Sequence, residues 1–243
     1  MMNTLILAAG RGTRIAEVTD GLPKSFLELG GKKIIEHQID CVKAACAGEI
    51  IVITGYRAPF VEEALSDRDV VFERNPYYER SNVLGSVWFG RSHLSSGFYF
   101  MHADTFFDCS IFDDLIRHPG ELVLCVEMKD EPVDEEMKVR IEGGRIFEIS
   151  KTMPNDSAQG EFTGLMKVGP EIAPRVVELI EELVEIEGRL DDYFESVVQR
   201  LIDEGVPADV VDIGDRLSIE IDFPEDYAGA LERYEHLAGG DHR

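Results

Sequence analysis

Residues 5–14, Leu-Ile-Leu-Ala-Ala-Gly-Arg-Gly-Thr-Arg, run an apolar strand straight into a glycine turn, and Pro23-Lys24 follows. This arrangement narrows the possible folds more than any other in the chain. A strand that ends in glycines lets backbone N–H groups approach phosphate oxygens, because no Cβ stands in the way. Arg11, Arg14 and Lys24 then supply cations where a polyphosphate would lie. The turn could still point Arg11 outward. Such a turn belongs at the edge of an α/β sheet.

Alternation of strand and helix patterns carries the same message through the first half. Strands are predicted over 4–9, 50–54, 70–73 and 98–103, and helices over 33–45, 59–65 and 82–91, the last capped by Ser81. This rhythm implies a Rossmann-like, doubly wound α/β fold with a mostly parallel mixed sheet. Ligands of such sheets bind beyond the C-terminal strand ends, where Ala9-Gly10 and Ala103-Asp104 sit. The second half reads differently. Strands over 121–128, 138–141, 145–149 and 162–168 include a hairpin turning at Gly143-Gly144. Amphipathic helices over 172–186 and 191–202, strands over 208–212 and 218–222, and a helix after Pro224 complete the pattern. With no linker and no repeat, residues 1–237 read as one domain carrying a β-rich lid over about 129–170, and 238–243 as a tail.

At 243 residues and 44% hydrophobic content, the chain has enough material for a substantial core. The net charge of −24 argues against nucleic acid as a partner, since phosphate backbones need basic surface. No run is apolar for long enough to insert in a membrane, and no signal segment is evident, so a cytoplasmic location is expected. Cys41, Cys46, Cys109 and Cys125 fit no metal-ligand spacing and are expected as reduced thiols, mostly buried, with a disulfide left open.

Three further groups of residues suggest chemistry. Asn82, Gly85 and Ser86 lie at i, i+3 and i+4, so a helix would set them on one face, where a flat base could approach the glycine and hydrogen-bond the two polar residues. The bland alternative makes Asn82 a capping group. Asp104 and Asp222 end apolar strands, with Glu220 on the same side as Asp222; together they would form a hard oxygen site suited to Mg²⁺. Turn formation by Asp104 and helix capping by Asp222 are the competing roles. Lys151, Glu161, Thr163 and Gly164 border the second-half strands, and Tyr78, Trp88 and Phe162 offer aromatic surface. Core packing competes for Trp88, plain solvation for Lys151 and Glu161, and His102 reads as a core histidine.

Leu7-Ala8-Ala9-Gly10-x-Gly12-Thr13-Arg14 with Pro23-Lys24 resembles the signature of nucleotidyltransferases of the MobA-like and sugar-phosphate type. Asn82-Val83-Leu84-Gly85-Ser86-Val87-Trp88, Asp104 and Glu220-Ile221-Asp222-x-Pro224-Glu225-Asp226-Tyr227 bring the resemblance nearest to phosphocholine cytidylyltransferase-like enzymes. The resemblance implies the nucleotide-diphospho-sugar transferase fold. It further implies nucleotide contacts from Leu7, Ala8, Ala9, Gly10, Gly12, Thr13, Asn82, Gly85 and Ser86, with base contact from the helix at 82–86. Metal ligation falls to Asp104 and Asp222, and an acceptor lies beneath Lys151, Glu161, Tyr78 and Phe162. Arg14 and Lys24 are the expected catalytic cations. The implied reaction transfers a nucleoside monophosphate, CMP from CTP being favoured, to a phosphorylated or phosphonylated small molecule such as phosphocholine, aminoethylphosphonate or an inositol phosphate, by a monomer or homodimer. A sugar-1-phosphate transferase and a catalytically silent nucleotide-binding subunit are the alternatives; the retained Arg14, Lys24, Asp104 and Asp222 speak against the latter.

Overall fold

The computed structural model describes residues 1–45, 48–129 and 133–240. In chain order these form β1 (Asn3–Ala8), α1 (Ile34–Ala44), β2 (Ile50–Thr54), α2 (Ala58–Ala64), β3 (Val71–Arg74), α3 (Val83–Gly90), β4 (Phe98–His102), β5 (Thr105–Phe107), α4 (Cys109–Arg117), β6 (Leu122–Met128), β7 (Lys138–Glu142), β8 (Arg145–Ser150), β9 (Gly160–Val168), α5 (Ala173–Glu181), α6 (Glu195–Asp203), β10 (Ala208–Asp212), β11 (Ser218–Glu220) and α7 (Pro224–Gly240). Helix α5 continues as a wide π turn over Glu182–Ile186, so the single helix expected over 172–186 changes pitch inside.

Among these residues a nine-stranded sheet runs β3-β2-β1-β4-β9-β6-β10-β8-β7. The β3, β2, β1 and β4 neighbours are parallel, and so are β6 and β10. Around β9, and at the β10-β8-β7 edge, the pairing is antiparallel. The parallel share is therefore smaller than the first-half rhythm suggests, because β9 enters the middle of the sheet from the second half. The region expected as a lid is likewise part of the sheet: β7 pairs with β9, and β8 with β10. Gly143 and Gly144 turn that hairpin at φ +60° and +82°, a backbone that glycine adopts without a Cβ clash.

Both sheet faces are covered, which explains why β2 is buried at every position. Leu5, Ile51, Ile53 and Phe100 face α3, α5 and α6; Ile6, Val52, Tyr99 and Met101 face α1, α2 and α4. Each such aliphatic side chain taken out of water is worth about 1.5–3 kcal/mol. A third apolar cluster, Ile15, Leu27, Ile34, Phe106, Leu217, Ile221 and Ala230, seats α7 against the segment after β1.

Two expectations change here. Asn82, not Ser81, caps α3, its side chain accepting from Val83 N at 2.9 Å. Cys41 and Cys109, expected as thiols, are joined as a disulfide with Cα atoms 5.3 Å apart, because α1 and the start of α4 lie side by side. Cys125 is a buried free thiol, and Cys46 lies outside the described residues. Helix α7 is described to Gly240, past the expected end of the domain at 237; residues 241–243 lie outside the description.

Candidate active site

At the C-terminal ends of β1 and β4 lies a cleft of about 870 Å³. Its wall includes Leu7, Ala8, Ala9, Gly10, Gly12, Thr13 and Arg14 from the segment that sequence singled out. A Cβ on Gly10 would meet nothing within 4 Å, so the backbone there is open to a ligand. Gly12 sits at φ +63°, and a Cβ there would overlap the Lys24 side chain. Glycine is thus required at 12 twice, once for the turn and once so that the lysine stem can cross it.

Lys24 Nζ donates to Asp104 Oδ2 at 2.8 Å and also to Asp222 Oδ1. Burial would lower the lysine's pKa, but Asp104 and Asp222 outweigh it and hold it well above the ordinary value. The same contact acts in reverse on Asp104, where Lys24 overcomes the effect of burial and keeps the carboxyl below its usual range. Arg14 stands 3.5 Å from Asp222 and 3.9 Å from Glu135. Arg11 instead lies over the Tyr56 ring, outside the cleft wall.

Backbone pairing brings the two acids together. Strand β11 runs antiparallel to β5, and Ile221 N donates to Asp104 O at 3.1 Å. Asp226 accepts from the backbone of Asp222 and Phe223 at 2.9 and 2.7 Å. Capping at the start of α7 therefore falls to Asp226, which leaves the Asp222 carboxylate facing the cleft. His102, Asp104 and Glu220 present ligand atoms within 4.8 Å of one another. Glu220 is exposed as a residue, yet the crowded cleft floor desolvates its carboxyl, and with Asp104 beside it the pKa rises to about 7. His102 Nε2 is buried with no hydrogen-bond partner among the described residues, so the expected satisfied core histidine is instead part of the cleft wall. A β-bulge in β9 makes room for it: Gly164, at φ +79°, lies where a Cβ would come 3.0 Å from the His102 ring. Two carboxylates that already share one cation, with an unpartnered imidazole alongside, form a donor set that fits a hard divalent ion.

Asn82, Ser86 and Tyr78 line one end of the cleft. Asn75, which sequence reasoning passed over, organises this end: its Nδ2 donates to Ser81 Oγ at 2.8 Å and Ser86 Oγ at 3.0 Å, and its Oδ1 accepts from Tyr77 N. Its one sequence cue was an Asn-Pro pair just after a strand. Gly85 differs from expectation. A Cβ there would lie 2.7 Å from Ser81 Cβ and 2.8 Å from Leu190 O, so its smallness serves packing against the 190–192 loop rather than a base. Trp88 is outside the wall as well, with its Nε1 donating to Glu185 at 3.1 Å.

Lys151, Glu161 and Phe162 line the cleft as well. Lys129 binds Glu161 at 2.5 Å, Glu136 at 2.7 Å and Glu127 at 3.2 Å, so Glu161 is already engaged by a lysine that the sequence did not single out. Burial raises the Glu161 carboxyl to about 7, with Glu136 and Glu127 adding to the rise against the pull of Lys129. Lys151 has no carboxylate paired with it among the described residues and lies 4.9 Å over the Tyr193 ring. Glu195, the first residue of α6, is 3% exposed, and its Oε2 finds no hydrogen-bond partner among the described residues. Burial pushes its pKa up, while His102 and Lys151 draw it back. Glu195, Lys151, Tyr193 and Met137 also border a second cavity of about 1020 Å³. Nothing in the local sequence marked Glu195, since an acid in the first turn of an amphipathic helix is ordinarily solvated.

The family model described as "MobA-like NTP transferase domain" matches residues 4–188. The CTP:phosphoglutamine cytidylyltransferase of Campylobacter jejuni is 26% identical across 96% of this chain and 100% of its own length. The UTP–glucose-1-phosphate uridylyltransferase of Haloferax volcanii is 24% identical, covering 96% of each chain. Among solved structures, the CTP:phosphocholine cytidylyltransferase of Streptococcus pneumoniae superimposes with a TM-score of 0.82 at 24% identity, over 96% of this chain and 99% of that one. Its fold is the nucleotide-diphospho-sugar transferase fold found here.

Proposed function

Because the chain belongs to the MobA-like NTP transferase family and is a nucleotidyltransferase, we propose that it transfers CMP from CTP to a phosphorylated small molecule and releases pyrophosphate. The observation that carries this reading is the Lys24 bridge between Asp104 and Asp222, set against the open Gly10 backbone. The triphosphate lies along residues 10–14, where backbone N–H groups and Arg14 meet its oxygens. Asp104 and Asp222 would hold Mg²⁺, with His102 and Glu220 beside them; the ion supplies charge neutralisation on the phosphate oxygens. Lys24, released from its acids, turns to the phosphates. The acceptor's phosphate oxygen, already anionic, attacks the α-phosphorus in line, the bond to the β-phosphate oxygen breaks, and pyrophosphate leaves with the electron pair. No general base is needed; positioning and charge compensation by Arg14 and Lys24 carry the rate. Residues 1–237 act as one catalytic unit in this reading.

Lys151 faces the acceptor phosphate. Glu195, whose Oε2 has no partner among the described residues, with Tyr193, Phe162 and Tyr78 in the same wall, favours an acceptor bearing a cationic or amide-bearing group over a neutral sugar. The names of the relatives that use CTP with phosphoglutamine or phosphocholine agree with this chemistry. Pyrophosphate release, measured with Mg²⁺ across the four nucleoside triphosphates and crossed with phosphocholine, phosphoglutamine, inositol phosphate and hexose 1-phosphates, tests it. Release requiring CTP together with a nitrogen-bearing acceptor is expected. Release with a hexose 1-phosphate alone would overturn the acceptor assignment, and failure to bind any triphosphate would overturn the whole reading.

A further inference from the structure

On the far side of the Asp104 turn from the cleft, α1 and the start of α4 bring His37, Cys41 and Cys109 together, with ligand atoms within 4.8 Å of one another. His37 and Cys41 stand four residues apart on one face of α1, and Cys109 is the first residue of α4. The two sulfurs are bonded to each other, and they are unequal. Cys41 is buried at 3% exposure, whereas Cys109 is only partly buried. His37 Nε2 lies 2.7 Å from Phe107 O, 3.5 Å from Cys41 Sγ and 3.9 Å from Cys109 Sγ. Burial holds this imidazole below its ordinary pKa, hence neutral, and the contact with a carbonyl requires that Nε2 carry the hydrogen. That N–H donates to Phe107 O and also lies beside Cys41 Sγ, so a thiolate formed there would share it with the carbonyl.

We propose that Cys41–Cys109 is a thiol-exchange site, open to low-molecular-weight thiols at Cys109 and coupled to the turn that carries Asp104. A small thiolate attacks Cys109 Sγ, the reachable sulfur. The Cys41–Cys109 bond breaks, and its electron pair leaves on Cys41 Sγ, where His37 Nε2–H meets it and solvent supplies the proton. A second small thiolate attacks the outer sulfur of the mixed disulfide and frees Cys109. Two small thiols are oxidised to one small disulfide and the protein gains two thiols, so atoms and electrons balance. Run in reverse, an oxidised small disulfide restores the bond.

Coupling to the cleft follows from what α1 holds. Gln38 Nε2, fully buried, donates to His102 O at 2.8 Å and to Thr105 O at 2.7 Å, gripping the Asp104 turn from both sides. His37 stacks on Phe106 at 4.3 Å between centroids. The disulfide fastens the same helix to residue 109, just past β5. Residues 102–109 are thus clamped to α1 at three successive points, and only the last is redox-sensitive.

The test uses the full chain carrying Cys46→Ser, so that only the described cysteines report. Folded protein is equilibrated across ratios of reduced to oxidised glutathione, the free thiols are alkylated, and peptides are weighed. A reversible transition confined to Cys41 and Cys109 is expected. Cys41→Ser should trap one glutathione at Cys109, whereas Cys109→Ser should leave Cys41 unmodified. Hydrogen exchange of amides 103–107 should be about ten-fold faster in the reduced protein than in the oxidised one. None of these readouts depends on nucleotidyl transfer. A bond that survives millimolar dithiothreitol in the folded protein would overturn the proposal, as would unchanged exchange at 103–107. Reduced protein that takes up one Zn²⁺ and then resists reoxidation would also overturn it, making the cluster a metal site.

Discussion

Replacing Lys24 with Met asks whether the Asp104–Asp222 pair is built to hold a cation. The lysine side chain is 15% exposed, Asp104 23% and Asp222 33%, so the two ion pairs are partly shielded from water. Removing one partner of a fully buried pair costs about 3–5 kcal/mol, because the remaining charge is left unpaired. Solvent reaches Asp222, and Arg14 stays within 3.5 Å of it, so roughly 2–3 kcal/mol is the better expectation here. For a chain of this size that corresponds to a fall in Tm of roughly 4–12 °C. Mg²⁺ should return most of it, since a ligand at a hundred times its Kd contributes about 2.7 kcal/mol. In the wild type, Mg²⁺ must first displace Lys24 and should therefore raise Tm less than it does in Lys24→Met. The assay is thermal unfolding of both proteins in EDTA and in a Mg²⁺ series, alongside pyrophosphate release. Turnover should fall about 10²–10³-fold at every Mg²⁺ concentration, the usual cost of losing a charge aimed at the transition state. Equal Mg²⁺ stabilisation of the two proteins, or a variant as stable as wild type in EDTA, would refute the reasoning.

Glu195→Gln should separate stability from function. Relief of an unpaired buried acid should raise the Tm of the ligand-free protein, while the loss of a charge-assisted contact worth about 1.5–3 kcal/mol should raise the acceptor KM roughly 10- to 150-fold and leave the CTP KM unchanged. A lower Tm with an unaltered acceptor KM would count against the assignment. Glu161→Gln should stabilise in a pH-dependent way. The carboxyl titrates near 7 when folded against 4.5 ordinarily, so below about pH 4.5 both states are protonated and nothing is lost. As pH rises from there through 7, the folded state bears a growing cost that reaches roughly 2–3 kcal/mol. Urea midpoints of the two proteins should therefore diverge between pH 5 and pH 7.5, and a constant difference would contradict the cause assigned.

Local pattern made much of this architecture readable. Ile50–Thr54 is buried at every position and has no other plausible state, and the glycine turn after β1 carries its chemistry in consecutive residues. What local pattern did not reveal depends on partners far away in the chain. Gly85 has the spacing of a base-facing residue, but Leu190 comes down on it. His102 reads as core because it ends an apolar strand, and only the bulge at Gly164 opens space around its ring. Glu195 looks like a solvated acid until α6 packs against β8 and the residue is buried. Cys41 and Cys109 are 68 residues apart, a separation that says nothing about contact until α1 and α4 pack. Lys129 and Glu161 meet only because β6 and β9 pair in register.

The acid pair also has an order of arrival during protein synthesis. Asp104 leaves the ribosome with the first half of the sheet, whose strands β1 to β4 pair among themselves. Asp222 is delivered by β11, which pairs with β5, and is fixed by the first turn of α7. The cleft wall also takes Lys151, Glu161, Tyr193 and Glu195 from the second half, so a nascent chain completes the wall and the acid pair together, only once β11 has emerged.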